Sequence, residues 1–141
     1  MEFRIRAAAP ADIPALMALR AAVTENRLAD PERVQARHYH PFVARGDLWL
    51  CEEAGRILGF AAGDRGTGWI WALFVRPGFE GRGIGRALLA RACDTLRDAG
   101  FAECTLGTDP DTRAARFYRR AGWREAGRNA DGEIIFKLRT G

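Results

Sequence analysis

A chain of 141 residues with 48% hydrophobic content is long enough to bury a core without metal or disulfide staples, and one domain over residues 1–141 is expected. Its longest apolar runs, such as Trp69–Val75, fall far short of the roughly 20 residues a membrane span requires, and no basic-then-apolar leader opens the sequence, so a soluble cytoplasmic protein without a membrane partner is expected. The formal charge of +4 suits an anionic ligand, yet the arginines are scattered from Arg4 to Arg139, which speaks against nucleic acid as a partner.

Residues 3–6 alternate like a short strand, after which Pro10 and Asp12 open a helix whose apolar positions Ile13, Leu16, Met17, Leu19 and Val23 recur at helical spacing. A polar connection, Glu25-Asn26-Arg27-Leu28, leads to a second helix. Asp30 before Pro31 has the form of an N-cap ahead of a first-turn proline, and Pro41 is expected to break this helix before its end near Gly46. From Leu48 the period becomes that of strands. Residues 48–53, the Ala54-Gly55 turn and residues 57–63 form a hairpin, and a turn over 65–68 leads to a third antiparallel strand, Trp69–Val75.

A helix over about 83–99 follows, with Ile84, Leu88, Leu89, Ala92 and Leu96 on one face and Gly100 as its stop. Residues 101–106 read as a strand. Asp109-Pro110-Asp111 opens a last helix through Tyr118 to Ala121, which Gly122 stops, and residues 123–128 and 133–138 close the chain as a hairpin around Asp131-Gly132. The fold class is α/β (α+β), a mixed, mostly antiparallel sheet of about seven strands with about four helices. Cys51, Cys93 and Cys104 are odd in number, lack CxxC spacing and sit among apolar residues, so buried free thiols are expected and no metal.

The most informative stretch joins the strand ending at Val75 to the helix beginning near Gly83. Gly81, Gly83 and Gly85 leave the backbone uncovered by Cβ atoms where a helix start leaves N–H groups unpaired, and Arg82 and Arg86 add fixed positive charge. That is a phosphate site. A Walker motif needs Lys-Ser or Lys-Thr after its last glycine, and Gly85-Arg86-Ala87 supplies neither. The dinucleotide fingerprint lacks its third glycine in both registers, which place Arg86 or Leu88 there.

The run Arg82-Gly83-Ile84-Gly85-Arg86-Ala87, after Val75-Arg76-Pro77, resembles the pyrophosphate signature of the GNAT superfamily of acyl-CoA-dependent N-acetyltransferases. A second stretch, from Arg113 through Phe117-Tyr118 to Gly122-Trp123, is similar to that family's Ala-x-x-Phe-Tyr followed by Gly-Phe, and the likeness covers nearly the whole chain. The resemblance implies the GNAT fold and acetyl-CoA as cosubstrate. Its pyrophosphate would be held by Arg82, Gly83, Ile84, Gly85, Arg86 and Ala87, and its pantetheine arm would lie along Leu73, Phe74 and Val75 like an added strand. A bulge there would aim one N–H at the thioester oxygen.

Tyr118 occupies the position from which the family donates a proton or hydrogen bond to the leaving thiolate. Asp111 stands where the family usually has an Asn that contacts the cofactor arm. No general base is visible: some members carry a Glu early on the fourth strand, where this chain has Trp69, and Glu25, His38, His40, Asp109 and Asp111 are the alternatives. Trp69 and Trp71 share one face of their strand, either as core packing or, with Glu25 and Arg27, as walls of an acceptor pocket. An N-acetyltransferase acting on an amine of a small molecule or a protein terminus is the leading expectation. An acyl-CoA sensor that has lost its base is the alternative, and free hairpin edges allow pairing into a homodimer.

Overall fold

The computed structural model describes residues 3–23 and 34–140. Glu25, Arg27 and the Asp30-Pro31 cap lie outside the described residues. The segments with strand periodicity form β1 (Arg4–Ala7), β2 (Leu48–Glu53), β3 (Arg56–Asp64), β4 (Trp69–Val75), β5 (Glu103–Thr108), β6 (Arg124–Arg128) and β7 (Ile134–Arg139). They join in one seven-stranded sheet in the order β1-β2-β3-β4-β5-β7-β6. Every neighbouring pair is antiparallel except β4 and β5, which run parallel. Among the described residues four α-helices accompany the sheet: α1 (Ile13–Ala22), entered through a 3-10 turn at Pro10–Asp12, α2 (Ala36–Arg45), α3 (Ile84–Asp98) and α4 (Arg113–Arg120). This is the mixed, mostly antiparallel architecture expected from the period changes along the chain.

Apolar residues cover both faces of the sheet. On one face the α3 stripe of Leu88, Leu89, Ala92 and Leu96 packs with Ala115 and Tyr118 of α4 over Leu58, Ala61 and Ile70. On the other, Leu16 and Leu19 of α1 and Tyr39, Phe42 and Val43 of α2 pack over Leu50, Phe60 and Ala72. Helix α3 lies close to β3 because the strand offers glycine beneath it: a Cβ at Gly63 would stand 2.9 Å from the Ala92 carbonyl oxygen and 3.0 Å from Leu96 Cγ. Backbone on one side cannot yield. Gly63→Ala is therefore expected to destabilise the protein by about 1–3 kcal/mol, the usual cost of overpacking, measured as a lower urea midpoint; an unchanged midpoint would show that α3 has room to lift.

The expected break at Pro41 does not occur. Helix α2 continues through it to a left-handed Gly46, φ 72°, whose N–H caps the carbonyls of Phe42 and Val43. The missing hydrogen bond is outweighed by burial of Tyr39, Phe42 and Val43 on the same helix. Helix α4 also starts later than expected, because Asp111 turns left-handed, φ 59°, and Thr112 becomes the N-cap, its Oγ1 accepting from the Ala115 N–H at 3.1 Å.

Strand β4 carries a bulge, though not at Leu73 to Val75 where one was expected. Ala62 of β3 faces Ala72 and Gly63 faces Ile70, which leaves Trp71 without a partner. The extra residue resets the alternation. Trp71, Ala72 and Phe74 face α1 and α2, whereas Ile70, Leu73 and Val75 face α3 and α4.

Candidate active site

Strands β4 and β5 pair only at Trp69 and Thr105, where the Thr105 N–H donates to the Gly68 carbonyl at 3.1 Å. Beyond that point β5 keeps its full register with β7, and no described strand lies beside the outer edge of β4. The Arg76 N–H donates to the Leu58 carbonyl of β3 at 2.7 Å. Period-two alternation then directs the main chain of Phe74 at β3 and the N–H and C=O groups of Leu73 and Val75 at the open side. An extended chain can add itself there. Of the three residues expected to hold the pantetheine arm, Leu73 and Val75 thus offer backbone, and Phe74 offers its ring.

Along this edge lies a cleft of about 550 Å³, lined by residues from both core faces. Phe117 and Tyr118 of α4 wall it on one face, Val23 reaches it from the end of α1 on the other, and Gly81, Gly83, Gly85 and Arg86 form one end. At that end α3 begins with Gly83 in the left-handed region, φ 84°, which brings the turn into line with the helix axis at no Cβ penalty. The first intrahelical bond runs from the Ala87 N–H to the Gly83 carbonyl at 3.0 Å. The N–H groups of Ile84, Gly85 and Arg86 find no acceptor among the described residues. Three amides converging on a helix start, with its positive dipole end, suit the oxygens of a diphosphate.

Charge around this end is positive. The Arg86, Arg113 and Arg120 side chains line the cleft. Arg82 lies beside it, with its guanidinium 4.9 Å from the Phe79 ring and 3.9 Å from Glu53. Glu80 is the one carboxylate among the described wall residues, and it is engaged by Arg113 at 3.0 Å and by the Gly78 N–H at 2.9 Å. Ile84 turns its side chain into the core and presents only backbone, and Ala87 is half-buried behind it. Asp111 is exposed in its turn and is not part of the wall, so its contact to the cofactor arm is not supported by position.

Tyr118 is 6% exposed and is held by edge contacts to Phe117 and Trp123 and a tilted contact to Phe136. Its hydroxyl takes no hydrogen-bond partner among the described residues. Burial, with a smaller push from Cys93, moves its pKa above the ordinary tyrosine value, so the phenol stays protonated. Cys93 is half-buried, while Cys51 and Cys104 are fully buried free thiols, with Cys51 pushed up to about 11 by burial and then by Glu53 and Glu52.

The two indoles part company. Trp69 is 40% exposed, and Trp71 stacks on Phe42 with centroids 4.5 Å apart and meets Tyr39 edge-on at 5.1 Å. Neither is part of the cleft wall. The described base candidates also lie off the wall: His40, Asp109 and Asp111 are exposed, and His38 Nδ1 accepts the Gln35 N–H that caps α2. Pro77, Phe79 and Glu80, together with Arg113, Phe117 and Arg120, line the cleft without having been singled out as contacts. Their shared signal was proximity to the two motifs.

The model of the GNAT acetyltransferase family matches residues 14–123, and the chain belongs to this family. It is similar to an uncharacterized N-acetyltransferase of Methanocaldococcus jannaschii, 33% identical over 104 residues that make up 64% of this chain and 46% of that one. It is also similar to the mycothiol acetyltransferase of Beutenbergia cavernae, 37% identical over 82 residues, 54% of this chain and 28% of the relative. The chain thus matches less than half the length of these curated relatives. Its fold is similar to that of the PaiA N-acetyltransferase of Thermoplasma acidophilum, solved in complex with coenzyme A, with a TM-score of 0.80 at 16% identity over 99% of both chains. No described helix is long and apolar enough to cross a membrane.

Proposed function

We propose that the protein transfers an acetyl group from acetyl-CoA to a primary amine of a small molecule or peptide by direct attack in a ternary complex. Residues 1–141 constitute one cytoplasmic N-acetyltransferase domain, able to pair as a homodimer through its exposed β6 edge. The observation that carries this reading is the cleft along the open edge of β4, with α3 amides that find no acceptor among the described residues at one end and a buried tyrosine on its wall. Cosubstrate can enter from the α3 and α4 face and acceptor from the α1 and α2 face, so the two reactants meet at the edge of β4.

Acetyl-CoA, when bound, supplies a thioester. The amides of Ile84, Gly85 and Arg86 hold its diphosphate, and the open edge at Leu73 and Val75 aligns the arm and offers one N–H to the oxygen that gains charge as the amine attacks. As the N–C bond forms and the C–S bond breaks, the Tyr118 hydroxyl donates its hydrogen bond to the departing sulfur. A phenol above 10 is a weaker acid than a thiol near 8.5, so Tyr118 stabilises the thiolate and the net proton comes from the nitrogen that is acylated. No carboxylate or imidazole free of other partners stands among the described wall residues, and that proton leaves through water in the cleft.

Release of free CoA thiol from acetyl-CoA across a panel of amines tests the reading. Turnover on at least one amine is expected; saturable acetyl-CoA binding with turnover on none would make the protein an acyl-CoA sensor. The required form of Tyr118 is the protonated one and burial raises its pKa, so kcat should rise with pH as the acceptor amine loses its proton and show no decline below about pH 10. A decline centred near pH 8 would contradict that role.

A further inference from the structure

We infer that Cys93 and Cys104 form a site of reversible oxidation, at which a hydroperoxide converts the two thiols into a disulfide joining α3 to β5. The inference does not depend on the transferase reading above. Cys104 sits in β5 and is fully buried, in the core cluster that the apolar stripe of α3 covers. Cys93 follows Ala92 at the edge of that stripe, half-buried, and packs against the same cluster. The two side chains share a hydrogen bond. Thiols in hydrogen-bonding contact, on elements already packed together, are placed to reach bonding distance by side-chain rotation.

The two sulfurs are not equivalent. The Cys93 S–H donates to Cys104, which holds the Cys104 thiol below its ordinary range against the opposing effect of burial. The same bond, reinforced by burial, holds Cys93 above it. Only Cys93 has an exposed edge, so it is the thiol that meets an oxidant, and Cys104 stands behind it as the resolving thiol. Cys51 differs from both. It is fully buried, and burial, then Glu53 and Glu52, push it up to about 11, with no other cysteine among the groups that act on it.

The chemistry proceeds in two steps. When the pair loses a proton, the one left between the sulfurs can sit on Cys104, which puts the thiolate on Cys93. That thiolate attacks the terminal oxygen of the peroxide: an S–O bond forms, the O–O bond breaks, and the leaving alkoxide or hydroxide takes up the lost proton as alcohol or water. The Cys104 sulfur then attacks the Cys93 sulfenic acid. The S–S bond forms as the S–O bond breaks, and hydroxide departs with the Cys104 proton as water, so the peroxide takes the electron pair that the two sulfurs give up. The bridge ties α3, whose first turn carries the Ile84, Gly85 and Arg86 amides, to the strand that parts from β4. Cys93 also lies within the field of the Tyr118 hydroxyl, which places the site beside that tyrosine.

The test counts thiols on the native whole chain after hydrogen peroxide, by unfolding, alkylation and peptide mapping. The reduced protein alkylates at all three cysteines. After peroxide, alkylation is expected at Cys51 alone, with a linked Cys93–Cys104 peptide that dithiothreitol reverts and a urea midpoint at or above that of the reduced protein. Cys104→Ser removes the resolving thiol and should stop at a Cys93 sulfenic acid captured by dimedone; where that variant does not fold, the wild-type map alone decides. Three alkylated cysteines after peroxide, a bridge that involves Cys51 or joins two chains, or Cys93 sulfinic acid without a bridge overturns the site. So does a linked form that unfolds at lower urea than the reduced protein, since the bond would then demand a packing the native core does not have.

Discussion

Tyr118→Phe is expected to lower kcat by about one to three powers of ten while leaving the Kd for acetyl-CoA within about twofold of wild type. The ring of Tyr118 packs against Phe117, Trp123 and Phe136, and phenylalanine preserves those contacts. Only the oxygen is lost. Because that oxygen has no hydrogen bond to the protein among the described residues, its removal leaves no partner stranded, and the loss should appear in the chemical step alone. Stopped-flow or steady-state release of CoA thiol, paired with calorimetry, checks both halves. Full turnover in the variant would remove Tyr118 from the reaction.

Gly85→Val is expected to weaken CoA binding by about a hundredfold or more, since displacing a diphosphate from two charge-assisted amide contacts costs roughly 1.5–3 kcal/mol each. The three glycines of the turn are not equivalent. Gly81 and Gly83 hold φ of 81° and 84°, so any side chain there strains the backbone whatever space is free. Gly85 is helical, and a Cβ on it would meet Val75 Cγ2 at 3.5 Å and Phe117 Cζ at 3.6 Å, ordinary contact distances. A Cβ at Gly85 thus meets only ordinary contacts, and those are with two walls of the cleft, Val75 and Phe117. Gly85→Val should keep its unfolding midpoint near that of wild type and lose the coenzyme, and unchanged affinity by calorimetry would show that the diphosphate lies elsewhere.

Local chemistry made most of the fold legible in the sequence. The Ala54-Gly55 and Asp131-Gly132 turns mark their hairpins, and the α3 stripe from Ile84 to Leu96 is read directly from its spacing. Where local preference and tertiary packing conflict, packing wins: Pro41 stays inside α2 because three neighbours on that helix are buried. The α4 start was missed because Asp109 and Asp111 both look like caps, while the left-handed turn at Asp111 hands the role to Thr112.

The glycine turn at the start of α3 and Tyr118 were legible as motifs. The cleft between them was not, because it arises from pairing that stops after Trp69 and Thr105, and a strand pattern gives no sign of where a neighbour departs. The bulge at Trp71 escaped for the same reason, since it depends on what Ala62 and Gly63 pair with. Arg20 offered a weak signal. It lies four residues after Leu16 and three before Val23, on the apolar stripe of α1, where a charged residue needs a reason. Its guanidinium lies over the Phe74 and Trp71 rings, which only the folded chain brings near.

The most direct measurement is a crystal structure of the protein with coenzyme A. Diphosphate oxygens within hydrogen-bonding reach of the Ile84, Gly85 and Arg86 amides, and an arm lying beside the backbone of Leu73 and Val75, are the expected result. Coenzyme seated away from the start of α3, with those amides still unmet, would contradict the assignment of this cleft.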